Sequence, residues 1–206
     1  HRTPPARATR TRMARHRHLD TRSPIRMTIA LPAPYPLGPL PTDRLLKTVD
    51  ERLVRAPLSR IFEIAREVEH WPAYLPHYRY VRFRHRNRDG GGLVEMAANR
   101  PFGVANWPTW WLSEMAIDHD VPWVRYRHVG GITTRMDVEW NFTETSEGTM
   151  TRIIHVWNGP SWPLIGAFAA TQVIGPVFVH GIASRTLAGL ARVAEQAFVS
   201  KAVGRS

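Results

Sequence analysis

Between residues 78 and 158 the chain runs through six strand-length segments in succession, at 78–87, 93–101, 105–117, 123–129, 133–145 and 149–158. No helical period interrupts them, and a single long helical pattern follows at about 175–200. The segment 135–144 shows the logic most clearly. Met136, Val138, Trp140 and Phe142 share one face; Arg135, Asp137, Glu139 and Asn141 share the other. Side chains alternate with period two along a strand, so this segment has one buried and one wet face. Gly90-Gly91-Gly92, after Arg88-Asp89, supplies a hairpin turn in which glycine admits positive φ.

A further strand is predicted at 43–55. Pro57 then suits a first helical turn, where its missing amide is no loss. Leu58, Ile61, Phe62, Ala65 and Val68 recur at helical spacing, and Pro72 and Pro76 bracket a second, very short helix. The order β-α-α-β-β-β-β-β-β-α belongs to the α+β class: a seven-stranded curved antiparallel sheet gripping a long C-terminal helix. Ile182, Thr186, Gly189, Leu190, Val193 and Ala197 give that helix one small-to-apolar face. Small residues such as Ala183, Gly189, Ala191 and Ala194 let backbones approach or leave space, and space against a concave sheet is a pocket.

The chain has 206 residues and no cysteine. Its length suits one domain plus an arm. The lack of cysteine excludes disulfides and thiolate metal sites, and it fits a reducing, cytoplasmic setting. No apolar run reaches the ~18–20 residues of a membrane span. The net charge of +11 is unevenly placed. Residues 1–26 hold eight Arg and one Asp, a net of +7; residues 27–206 hold 20 Lys and Arg against 16 Asp and Glu, a net of +4. The high charge is therefore mostly a property of a tail, and nucleic acid is not expected as a partner. Residues 1–26, ahead of Met27, read as upstream sequence. With the Pro-rich connector 31–41 they make a disordered basic arm over 1–42, and the domain is expected over 43–200.

Eight tryptophans are present, seven of them between Trp107 and Trp162. Their rings can pack as core or stack on a planar ligand. Trp110 and Trp111 are adjacent, so they must face opposite ways. Inside such a cage the polar candidates are Tyr126, His128 and His155. Tyr126 and His128 share a face and are the catalytic candidates, able to protonate or orient a carbonyl. The ligand-binding set expected from the inward faces is Met96, Trp111, Tyr126, His128, Met136, Val138, Trp140, Phe142, Phe168 and Ile182. The ten histidines show no HExxH spacing, and there is no glycine-rich phosphate loop. No metal or cofactor is expected. Segment 158–176 is too apolar for an ordinary loop; its 162–176 portion could cover a pocket mouth or touch a membrane transiently. Nothing in the sequence sets the oligomeric state.

The order within residues 49–78 resembles the opening of the START-like superfamily, which includes polyketide cyclases/dehydrases and coenzyme-Q-binding proteins. It comprises a strand ending in Arg55-Ala56-Pro57, a helix carrying Phe62, then Trp71-Pro72 and Leu75-Pro76. Gly130 before the strand with Val138-Glu139-Trp140, and Glu147-Gly148-Thr149 before the last strand, extend the resemblance over about 46–198. It implies a helix-grip fold whose cavity holds a lipid, an isoprenoid quinone or a polycyclic aromatic or polyketide molecule. Binding or carriage is the reading preferred. Aldol cyclisation or dehydration by a polyketide cyclase/dehydratase is the alternative, and a ribosome- or RNA-associated module the second. For the last, Arg82, Arg84, Arg86 and Arg88 offer a basic strand face. The superfamily has no shared catalytic motif, so no catalytic residue is carried over.

Overall fold

Strand β1 (Leu46–Val54) ends at a corner where Pro57, with φ −59° and ψ 148°, is still extended, so helix α1 (Leu58–Arg66) starts one residue later. The computed structural model describes residues 37–102, 105–159 and 179–203, without the side chains at 100–107 and 197–203. Helix α1 buries Ile61, Phe62, Ile64 and Ala65, the face that its apolar spacing predicts. A 3-10 turn (Val68–His70) leads into the one-turn helix α2 (Trp71–Tyr74), with Pro72 in its first turn. The six remaining strands are β2 (Tyr78–Arg86), β3 (Gly92–Phe102), β4 (Ala105–Asp118), β5 (Trp123–Gly131), β6 (Asp137–Thr145) and β7 (Gly148–Trp157). Helix α3 (His180–Val203) closes the described chain.

The sheet order is β1-β7-β6-β5-β4-β3-β2, antiparallel throughout. β2 to β7 form a meander; β1 returns to pair with β7, and α1 and α2 connect the two edges. The register aligns residues of like direction across the strands. One row reads Met115, Tyr126, Val138, His155, Thr48 from β4 to β1, and the next Ile117, Val124, Trp140, Ile153, Asp50. A one-residue slip would reverse every side chain. These rows face the core, where Leu187, Leu190, Ala191 and Ala194 of α3 are also buried.

Three expectations need correction. First, β6 begins at Asp137, and 132–135 form a turn. Arg135 adopts φ 72°, and Thr134 Oγ1 donates to Gly131 O at 2.6 Å, so the turn holds itself with local hydrogen bonds. Second, the buried face of α3 only overlaps the expected one: Thr186, Gly189 and Leu190 are buried as expected, but the face is broader. Ala183, Leu187, Ala191 and Ala194 are buried alongside Thr186 and Leu190, whereas Ile182 and Val193 are only partly buried. Third, Asp137 is buried although it lies on the expected wet face. Arg127 Nε donates to it at 2.8 Å, and Arg44 lies 3.6 Å away. Its neighbour Glu139 is held by Arg125 Nε at 2.6 Å.

The outer face is thus covered by paired arginines and by the chain just before β1. Leu37 is 5% exposed, and its carbonyl accepts from Arg125. Arg82, Arg84 and Arg86 of β2 are exposed but also paired. Glu95 accepts from Tyr80 Oη (2.7 Å), Arg82 (2.8 Å) and Arg84 Nε (2.6 Å), and Arg86 pairs with Glu69. Those hydrogen bonds, the Tyr80 bond foremost, hold the Glu95 carboxyl down to about 2.

Candidate functional site

The first turns of α3 lie over the inner face of the sheet and enclose a cavity of about 80 Å³. Its walls are mostly rings. Trp71 packs against Trp140 (centroids 5.6 Å apart) and edge-on to Tyr78 (5.3 Å), and Tyr78 in turn meets Trp111 (6.1 Å). The Trp71 indole is fixed by donating to Ile64 O at 3.0 Å, so this wall is set by α1. Met96, Met136, Val138 and Ile153 floor the cavity, and Val179, Ile182, Ala183 and Thr186 of the α3 region roof it.

Polar groups enter the cavity at a few points. His128 is stacked on Trp111, with rings 19° apart, and its Nδ1 lies 2.6 Å from Thr133 Oγ1 in a bond whose donor depends on the tautomer. Burial, helped by nearby His155, pushes His128 down to about 3. His155 is likewise lowered to about 3 by burial, and its Nδ1 lies 3.4 Å from Thr48 Oγ1. Both imidazoles are therefore neutral at pH 7. Thr186 Oγ1 donates to Tyr78 Oη at 3.4 Å and lies 3.1 Å from His77 Nε2, which links the half-buried His77 to the roof. Tyr126 differs from all of these: its hydroxyl is buried and has no hydrogen-bond partner. Burial pushes its pKa well above the ordinary phenol value, so it remains a neutral donor. No Asp, Glu, Lys or Arg is among the described residues lining this cavity.

Of the residues singled out in the sequence, Met96, Trp111, Tyr126, His128, Met136, Val138, Trp140 and Ile182 line the cavity. Phe142 does not. It is buried edge-on against Phe62 of α1, with centroids 5.5 Å apart, further along the strand than the cavity reaches. Phe168 and segment 160–178 lie outside the described residues. The sequence reading missed Trp71, Tyr78, Thr133, Val179, Ala183 and Thr186 as lining residues, and left His155 and Ile153 out of the ligand set. Trp71 and Tyr78 flank the Leu75-Pro76 turn, and only the tertiary fold brings that turn against the sheet. Trp110 and Trp111 do part as adjacency requires: Trp110 is 53% exposed, whereas Trp111 is buried.

A neutral imidazole near 3 is a weak base at pH 7, far from the matched pKa that general-base catalysis favours. The arrangement can hold a guest, stack on it and donate hydrogen bonds to it. Among the described residues, no group of three or more His, Asp or Glu is placed to hold a metal ion, and no helix is long and apolar enough to cross a membrane.

A curved antiparallel sheet wrapped on one long helix, with an apolar cavity between them, defines a START-like protein. The chain belongs to the polyketide cyclase/dehydrase and lipid transport family, whose sequence profile matches residues 54–175. No curated protein sequence matches it significantly. Among solved structures it is similar to TTHA0849 from Thermus thermophilus, at 18% identity and TM-score 0.61, over 74% of this chain and 99% of that one. It is similar to the ZhuI aromatase/cyclase from Streptomyces sp. R1128, at 15% identity and TM-score 0.61, over 73% and 94%. A START superfamily protein from Mycobacterium smegmatis matches at 13% identity and TM-score 0.53, over 75% and 97%. Identities this low speak for the fold alone.

Proposed function

We propose that this protein binds and carries an uncharged apolar or aromatic small molecule in the cavity between sheet and helix α3. The observation behind this reading is the ring-walled, charge-free lining, whose histidines are held neutral. Such a surface favours transfer of apolar area out of water and disfavours ions. The cavity of about 80 Å³ is smaller than the roughly 150 Å³ engineered cavity that takes up benzene. Even a one-ring guest therefore requires the roof residues to move outward. Lipids, isoprenoid quinones and polyketides all fit the apolar criterion.

The test is native mass spectrometry of freshly purified protein, with organic extraction and identification of what is released. A stoichiometric apolar molecule supports carriage. Protein that is empty after purification, and that takes up no apolar probe, would rule the reading out. Cyclisation or dehydration of a polyketide is the second reading, favoured by the free Tyr126 hydroxyl in the cavity and by the aromatase/cyclase among the structural neighbours. It predicts turnover of a poly-carbonyl substrate that is lost in Tyr126→Phe.

A further inference from the structure

Buried hydroxyls are nearly always paired, so one that is not, and that lines a cavity, calls for an explanation. Tyr126 Oη is such a group. Register places its ring on the inner face of the sheet, in the row Met115, Tyr126, Val138, His155, so the hydroxyl cannot reach solvent on the outer face without a slip of the strand. The other hydroxyls on the lining, those of Thr133, Thr186 and Tyr78, have partners. His128 has Thr133, His155 has Thr48, and Thr186 has both His77 and Tyr78. The cavity thus presents one buried hydroxyl without a partner and, among the described lining residues, no compensating cation.

We infer that the cavity selects a neutral ring-bearing guest with one hydrogen-bond acceptor, an aryl carbonyl or its equivalent, which receives the Tyr126 hydroxyl proton as a hydrogen bond. Ionised carboxylates are excluded. This rests on the cavity being a ligand site and adds the specificity element within it. An acceptor opposite Tyr126 satisfies a group that is otherwise stranded. An apolar guest of the same shape leaves it stranded, and a carboxylate must give up its hydration with no positive partner in return. Sites that hydrogen-bond their guest reject isosteres lacking the matching group far more strongly than they reject changes of a methylene.

The test uses three single-ring probes of nearly equal shape, chosen because a single ring asks the least movement of the roof: acetophenone, cumene and benzoate. Each is titrated into the whole protein at pH 7 by calorimetry, and the native protein is also examined with carbonyl-13C acetophenone by NMR. Acetophenone is expected to bind roughly 5- to 100-fold more tightly than cumene, with benzoate weaker than both. The labelled carbonyl is expected to move downfield of its position in an apolar solvent. In Tyr126→Phe, which removes a hydroxyl that makes no bond within the protein, the acetophenone advantage and the downfield shift are both expected to vanish while cumene binding stays.

Equal binding of acetophenone and cumene by the native protein overturns the inference but leaves the ligand site standing. Tight benzoate binding overturns the exclusion of anions. A preference that survives in Tyr126→Phe assigns the donor elsewhere and removes Tyr126 from the role. If the variant does not fold, the native affinities and the carbonyl shift still decide the matter. Failure of all three probes to bind removes the ligand site itself, and the inference with it.

Discussion

Trp140 and Phe142 sit two residues apart on the same face of β6, both buried, yet they meet different surroundings. Trp140 borders the cavity and packs on Trp71; Phe142 packs on Phe62 where the space is filled. Truncating a large aromatic residue in a filled core costs about 3–5 kcal/mol, because a new void is added to the lost transfer energy. Phe142→Ala is expected to fall within that range. Trp140→Ala is expected at its lower end, since part of the indole already faces empty space, and it alone should change the affinity for a small aromatic guest. Urea unfolding and probe titration on both variants check this, and equal effects of the two on binding would contradict it. Alternation made the inward direction of both residues legible in the sequence. It could not say how far along the strand the cavity extends, because that depends on where α1 and α3 lie across the sheet. Tyr126 and His128 were legible on the same grounds, whereas the missing partner of Tyr126 emerges only from the packed structure.

Two of the contacts that helix α3 makes with the rest of the fold can be tested separately. At Gly189 a Cβ would meet Leu75 Cδ2 at 2.1 Å, so the helix lies almost on the α2 turn. Leu75 is buried and cannot simply swing away. Gly189→Ala is expected to destabilise by about 1–3 kcal/mol through overpacking, despite alanine's better helix propensity. In a Leu75→Ala background the same change is expected to stabilise by roughly 0.5–1 kcal/mol, and a cycle showing no coupling would refute the contact. At the other point, His180 Nδ1 lies 2.5 Å from Asp50 Oδ1 of β1. Asp50 is buried, and apart from that contact neither of its carboxylate oxygens finds a donor. His180→Ala is expected to cost about 1–3 kcal/mol, because it strands the carboxylate. Adding Asp50→Asn is expected to restore most of the loss, which chemical denaturation of the double variant measures. The close approach at Gly189 was legible in kind, as a small residue on α3, but its partner Leu75 was not, and neither was the Asp50 contact. The face read from Ile182, Thr186, Gly189, Leu190, Val193 and Ala197 does not say which neighbour it meets, because small residues also lie beside it, and Asp50 reads as one more polar residue on an edge strand.

Across the whole molecule, folding buries imidazoles that the unfolded chain leaves in water. His77 falls to about 4, mainly through burial and then through Arg185; His128 and His155 fall to about 3, mainly through burial. In the unfolded chain all three take up protons near 6.5. Between that value and about 4, the unfolded state therefore binds more protons than the folded one. Stability is fully present above about 6.5 and falls with acidification, by up to ~1.4 kcal/mol per pH unit for each histidine. Glu95 acts in a second, lower window. Its carboxyl is held at about 2 in the fold against 4.5 ordinarily, so its contribution is present above 4.5 and declines below it. Asp50 works the other way. Burial raises its pKa, so the charge is a liability that acid relieves, and it softens the loss without reversing it. Urea midpoints measured from pH 7 down to pH 4 are expected to drop steeply from about pH 6.5. His128→Gln, which keeps a polar group beside Thr133 but takes up no proton, is expected to flatten that slope. Glu95→Gln is expected to leave the slope above pH 4.5 unchanged and to alter only the region below it. An unchanged slope in His128→Gln would mean that the imidazole is hydrated in the folded protein, and the neutral cavity lining on which the binding proposal rests would have to be given up.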